Sequence, residues 1–218
     1  MTVSFFGRRA FVAGNPIRQE FVAAAAREFR VGDRAGGASP RVLIFGGSQG
    51  AHAINMAMVE AAPRLADGRM AVTHQTGERD LEPVRAAYRK AGVDARVEPF
   101  LYEMDREMSA ADVVVCRAGA TTIAELTAAG KVAVLIPLPT AADDHQRRNA
   151  EVLVRAGAAE MIEQKDLTGE AIAERIAALV ADADRRARMA TAARAFARPD
   201  AAGVIVDRAL ELAARGRR

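Results

Sequence analysis

Cysteine is almost missing from this chain: among 218 residues, Cys116 is the single thiol. One thiol excludes an intrachain disulfide and any cysteine-built metal site, and it suits a reducing compartment. Placed after Val113-Val114-Val115, Cys116 reads as a small hydrophobe at a strand end rather than a nucleophile. Tryptophan is absent, tyrosine occurs twice, and aromatics make up 5% of the chain. Platforms for stacking the bases of a single strand are therefore scarce, and no nucleic-acid partner is expected. No apolar run approaches the ~20 residues that span a bilayer. Phe5-Phe6 is followed at once by Arg8-Arg9, which is not a signal-peptide pattern. Neither charge sign dominates: 31 Lys and Arg against 28 Asp and Glu leave a formal net charge of +3. Arginine supplies most of the cations and crowds the C-terminus. That fits anionic partners such as phosphates or a lipid surface, and equally a plain solvated surface.

Half of the residues are hydrophobic, enough to fill the core of one large or two small domains. Their arrangement alternates. Short apolar runs at 41–45, 70–74, 95–99, 112–116, 132–136 and 159–162 read as strands. Helical patterns lie between them, near 51–65, 78–91, 104–110, 121–129 and 145–156, with two or three more helices from 168 and a break at Pro199. Strands alternating with helices predict a parallel sheet covered on both faces, and right-handed crossovers make it doubly wound, or Rossmann-like. Ahead of this, 11–14 reads as a strand remnant, 18–29 as a helix and 31–40 as a loop. We divide the chain into a connection at 1–37, a nucleotide-binding domain at 38–198 and a last helix at 199–218.

In such sheets ligands bind beyond the carboxyl ends of the strands. The turn Cys116-Arg117-Ala118-Gly119-Ala120-Thr121-Thr122 leads from a buried strand into a helix. Its small residues let a phosphate approach the backbone. The first-turn N–H groups of the helix, around Ala120, Thr121 and Thr122, favour negative charge there. Glu125, one turn on, can accept hydrogen bonds from sugar hydroxyls. The layout suggests a nucleotide.

The other turns admit two readings each. Gly46-Gly47-Ser48-Gln49-Gly50-Ala51 is either a phosphate contact, with Ser48 donating its hydroxyl, or a tight turn; its spacing is neither that of the dinucleotide fingerprint nor that of the P-loop. His74, in His74-Gln75-Thr76-Gly77, touches a ligand or packs. Pro99-Phe100-Leu101 with Met104 can hold a planar base, the backbone of Leu101 reading its edge, or is core. Asp143 and Asp144 can cap the following helix, while His145 and Gln146 lie over the sugar. The second carboxylate-rich set that a metal would require is lacking, so no metal and no cofactor are expected. Arg18, in Gly14-Asn15-Pro16-Ile17-Arg18, can pair with a diphosphate or is an ordinary turn residue.

Taken in order, GNPIR, GGSQGA, HQTG, PFL with Met104, CRAGATTIAEL, DDHQ with Asn149, and GAAEMI resemble the C-terminal half of the MurG family of peptidoglycan N-acetylglucosaminyltransferases. The resemblance runs from about Phe11 to the end. It implies the two-domain GT-B fold, of which this chain is the donor half, binding UDP-N-acetylglucosamine. It implies Arg18 and Ser48 on the diphosphate, Leu101 on uracil through its backbone, and Ala120, Thr121 and Thr122 at the phosphate. It also implies Glu125 on the ribose, and Gln146, with His145, on the N-acetylglucosamine. The acceptor would be the undecaprenyl-diphosphate muramyl-pentapeptide lipid, at the cytoplasmic face of the inner membrane, with peripheral membrane association in the complete enzyme.

The departure from the family is large. The acceptor-binding N-terminal domain, with its expected general base, has no counterpart among these motifs, and none of His52, His74 and His145 matches it. The chain then reads as a fragment or as one subunit of a split enzyme, inactive alone. A UDP-N-acetylglucosamine 2-epimerase-like domain and a non-catalytic nucleotide-sugar-binding module are the alternatives. A nicotinamide-binding domain is disfavoured by the first turn. With its partner domain absent, the last helix is expected to show an apolar stripe of Val204, Ile205, Leu210 and Leu212, or to repack.

Overall fold

A computed structural model of the chain describes residues 10–25, 39–47, 51–66 and 70–215. Ser48, the core of the expected loop (31–38) and the end of the helix expected at 18–29 lie outside the described residues.

Six strands form one sheet: β1 (Arg41–Phe45), β2 (Ala71–Gln75), β3 (Ala95–Glu98), β4 (Val113–Cys116), β5 (Ala133–Leu135) and β6 (Ala159–Met161). Their order is β3-β2-β1-β4-β5-β6 and every pairing is parallel. β1 and β4 are central, with Ile44 opposite both His74 and Val115. Between successive strands the connections carry helices α2 (His52–Leu65), α3 (Leu81–Ala91), α4 (Met104–Ala110), α5 (Ala120–Ala129) and α6 (His145–Arg155). An earlier helix, α1 (Gln19–Ala25), and three later ones, α7 (Gly169–Ala181), α8 (Ala183–Arg194) and α9 (Ala201–Arg215), complete the layers.

The strand alternation sorts the core into two halves. Val42, Ile44, Val113, Val115 and Val134 pack with Ile54, Met58 and Ala61 of α2, Val84 and Tyr88 of α3, and Ile172 and Ile176 of α7. Leu43, Phe45, Val114, Cys116 and Leu135 face the other way, toward Met108 of α4, Leu126 of α5 and Leu153 of α6. Burial on both sides is why these strands read as unbroken apolar runs. Cys116 is fully buried, and burial pushes its thiol pKa up, as a structural residue requires.

Helix ends follow their local chemistry. α5 stops where Gly130 turns left-handed at φ 60°. Asp182 caps α8 by accepting from the N–H of Arg185 at 2.7 Å.

Two outcomes differ from expectation. Residues 11–14 form no strand. Instead Gly14, at φ 99°, lies so close to the start of α9 that a Cβ there would sit 2.7 Å from Cβ of Arg198. Asp144 precedes α6 but makes no capping hydrogen bond. Its carboxylate accepts from Arg147 at 3.5 Å, and both Asp143 and Asp144 take left-handed backbone angles. α1 seats Phe21, fully buried, in the second half of the core. On α9, Ile205, Val206, Leu210 and Leu212 are exposed and Val204 is partly covered, so the expected apolar stripe is present.

Candidate functional site

The strand order reverses between β1 and β4, and a doubly wound sheet opens a crevice at that point. The turn after β1 holds Gly46 and Gly47, the latter at φ 100°, an angle that favours glycine. Nε2 of Gln75, at the end of β2, donates to the carbonyl of Gly47 at 2.9 Å and pins this turn. The turn after β4 is pinned from α6. Oε1 of Gln146 accepts from the N–H of Ala118 at 3.2 Å, and Nδ2 of Asn149 donates to the carbonyl of Ala118 at 3.1 Å. The same Oε1 accepts from the N–H of Leu138 at 3.1 Å, tying in the proline-rich turn. Between the turns lies a cavity of about 590 Å³, lined among others by Gly47, His52, Arg117, Gly119, Thr122 and Gln146.

α5 opens onto this cavity. Gly119 precedes it with no capping side chain, and the helix ladder begins with the N–H of Ile123 donating to the carbonyl of Gly119. The N–H groups of Ala120, Thr121 and Thr122 therefore have no partner within the helix, and the helix dipole adds partial positive charge there. The segment 14–18 docks beside them. Nδ2 of Asn15 donates to Oγ1 of Thr121 at 3.1 Å, and Nε of Arg18 donates to Oε1 of Glu125 at 2.9 Å. Glu125 is nearly covered, with 8% of its side chain exposed, while Arg18 keeps 52% and stacks its guanidinium 4.9 Å above the ring of Phe21. The carboxylate is thus held in place by a half-exposed cation.

The remaining expected residues divide. The Leu101 side chain is buried in the core, beside an exposed pair, Phe100 and Tyr102, whose rings meet edge to face at 5.0 Å. His145 is exposed and outside the cavity lining; its Nδ1 donates to the carbonyl of Ala142 at 2.7 Å.

Residues given no role from the sequence also reach the site. Arg117 donates to the carbonyls of Ile136 and Pro137 at 3.1 and 3.2 Å and to Oε1 of Gln164 at 2.7 Å, and burial lowers its pKa. His52, the first residue of α2, turns Nδ1 to both carboxylate oxygens of Asp80 at 3.0 Å. Asp80 also accepts from Nδ2 of Asn55 at 2.8 Å. Burial opposes its charge, but the bonds from Asn55 and His52 and the nearby Arg79 keep its pKa below the ordinary carboxylate value. Behind it, Oδ1 of Asn55 meets Nε2 of His74 at 3.0 Å, and Nδ1 of His74 meets the Tyr88 hydroxyl at 3.0 Å. An amide oxygen only accepts, so Nε2 of His74 carries the proton and Nδ1 accepts from Tyr88. Burial drives the His74 pKa down to about 3, although the charge of Asp80 pulls it upward. His74 is a neutral core brace and not a ligand contact. Residues 28 positions apart, such as His52 and Asp80, carry no sequence signal of pairing.

Residues 41–205 match the profile of the glycosyltransferase family 28 C-terminal domain. The chain belongs to that family. Among curated family members it is 50% identical over 213 residues to an enzyme of Anaeromyxobacter sp. (strain Fw109-5) named UDP-N-acetylglucosamine--N-acetylmuramyl-(pentapeptide) pyrophosphoryl-undecaprenol N-acetylglucosamine transferase. That alignment covers 97% of this chain and 55% of the relative. A Pelobacter propionicus protein of the same name is 49% identical, over 94% of this chain and 59% of its own length. The chain spans about half the length of the curated relatives it matches. Among solved structures, Acinetobacter baumannii MurG superposes with a TM-score of 0.73 at 37% identity, covering 80% of this chain and 53% of that one. A UDP-GlcNAc 2-epimerase from Neisseria meningitidis, at 16% identity and a TM-score of 0.58, shares the fold. The family 28 assignment agrees with the crevice at the switch point.

Proposed function

We propose that this chain is the donor half of an inverting N-acetylglucosaminyltransferase that binds UDP-N-acetylglucosamine. The observation that carries the reading is the uncapped start of α5, open to the switch-point cavity, with Glu125 one turn further along. The pyrophosphate would sit on the N–H groups of Ala120, Thr121 and Thr122, with Ser48 and Arg18 reaching it from the sides. Glu125 would take the ribose hydroxyls and exchange part of its bond to Arg18 for them. Uracil would lie at the corner of Phe100 and Leu101, against the Leu101 backbone. The Nε2 amide of Gln146, whose Oε1 is already engaged, would face the N-acetylglucosamine, with His145 further out.

In this reading the acceptor hydroxyl gives its proton to a general base of the acceptor-binding domain and attacks the anomeric carbon, the bond to the β-phosphate oxygen breaks, and UDP leaves with inversion. Charge grows on the departing diphosphate. The α5 dipole and amides are fixed beforehand to receive it, so little reorganisation is needed. Orientation of the acceptor supplies the rest of the rate. It would come from an acceptor-binding domain of comparable size, in the same polypeptide or a separate subunit, which presents the undecaprenyl-linked muramyl-pentapeptide at the cytoplasmic face of the membrane. Among the described residues no helix is long and apolar enough to cross a bilayer, in keeping with peripheral attachment.

The test is direct. Calorimetry should show UDP-N-acetylglucosamine binding to the chain, while an assay with lipid acceptor should show no transfer above background. Efficient transfer by this chain alone, or no binding of the donor, contradicts the reading.

A further inference from the structure

His52 occupies a position that the family resemblance does not explain. It lines the same cavity as Gly47, Gly119 and Thr122, and half of its side chain is exposed, whereas Asp80 is 7% exposed and outside the lining. The carboxylate oxygens of Asp80 can only accept, so the bond at 3.0 Å fixes a proton on Nδ1 of His52. Nε2 has no hydrogen-bond partner among the described residues, and with Nδ1 turned to Asp80 the ring edge bearing Nε2 is left for the cavity. Neutral His52 therefore offers the cavity a lone pair, which repels an anion. Protonated His52 offers an N–H donor with a full charge, which attracts one. The Asp80 bond thus makes a single proton switch the sign of this contact.

We propose that His52 is a proton-gated contact for the diphosphate of the nucleotide sugar, attractive only when the imidazole is protonated. The proposal rests on the donor-binding reading above and deepens it. The charged groups around His52 are Asp80, from the turn before α3 and bonded to its Nδ1, Arg79, whose Nε lies 3.8 Å from Asp80, and Arg117, which lines the same cavity. A bound diphosphate adds negative charge to the side that favours protonation. By linkage, binding and protonation then reinforce one another equally.

The experiment is calorimetric titration of the chain with UDP-N-acetylglucosamine between about pH 5 and 8, the range in which histidine changes charge. Each phosphorus of this ligand carries one ester link, one anhydride link and one strongly acidic oxygen, so the ligand keeps its charge throughout and a pH effect reports on the protein. Wild type should bind about fivefold to tenfold more weakly at the upper end, a change of up to one pKa unit in linkage terms. His52→Gln should bind weakly with no slope, and His52→Arg, permanently charged, should bind tightly with no slope. Uridine, lacking phosphate, should show no pH dependence in any of the three. The imidazole Cε1–H signal of His52 should titrate at higher pH with ligand bound than without. A wild-type slope that is flat, or one that persists in His52→Gln, overturns the proposal and leaves donor binding standing. No binding of UDP-N-acetylglucosamine at any pH overturns both.

Discussion

Glu125 and Arg18 share one bond, and that bond sets what substitution does. Glu125→Gln keeps the shape and one acceptor oxygen but loses the charge that strengthens bonds to ribose hydroxyls. Hydrogen bonds to charged groups contribute about 1.5–3 kcal/mol, so affinity for UDP-N-acetylglucosamine should fall roughly tenfold or more. Calorimetry reads this, and unchanged affinity would remove Glu125 from the site. His74 gives a pH prediction of definite sign. Its pKa is about 3 in the folded chain and near the ordinary histidine value of 6.5 when unfolded. Between these values the unfolded chain holds the extra proton, so stability is whole above about pH 6.5 and is lost as pH falls toward 3. Denaturant unfolding should lose stability at up to about 1.4 kcal/mol per pH unit from this one group. His74→Gln should flatten that part of the profile. An equally steep profile in the variant would mean that other groups carry it.

The contact between α2 and α7 shows how elements are held. Gly169 begins α7 where a Cβ would lie 2.4 Å from Cβ of Glu60 and 2.6 Å from its backbone carbonyl carbon. Its N–H also donates to Oε2 of Glu60 at 3.1 Å. Gly169→Ala should push the helices apart and cost about 1–3 kcal/mol, as overpacking does, measured as a lower urea midpoint. A variant as stable as wild type would show that the helices have room. The elements themselves were legible in the sequence, because apolar runs at the centre of a parallel sheet and glycine stops such as Gly130 are local signals. The expected strand at 11–14 failed because Phe11 and Val12 are exposed and no sheet edge receives them. The helix start and the place of Glu125 one turn along it were legible because they sit close together in sequence. The pairing of His52 with Asp80, the Gln146 brace on Ala118 and the anchoring of Arg117 could not, because they join turns that only the sheet order brings together.

At the scale of the whole molecule, α9 presents Ile205, Val206, Leu210 and Leu212 to solvent. Exposed side chains contribute little to stability. Changing Leu210 and Leu212 together to Ser should leave the melting temperature almost unaltered. A fall of several degrees would show that the stripe is covered in solution, by a second copy or by repacking. The parallel sheet, meanwhile, brings the turns after β1 and β4 together at its carboxyl end. The central claim is that main-chain amides at this mouth grip a pyrophosphate, and amide NMR tests it most directly. On titration with UDP-N-acetylglucosamine, and with inorganic pyrophosphate alone, the N–H signals of Gly119, Ala120, Thr121 and Thr122 should move downfield and saturate together. Uridine should leave them in place. If the ligand binds while these four signals stay where they were, the account is wrong.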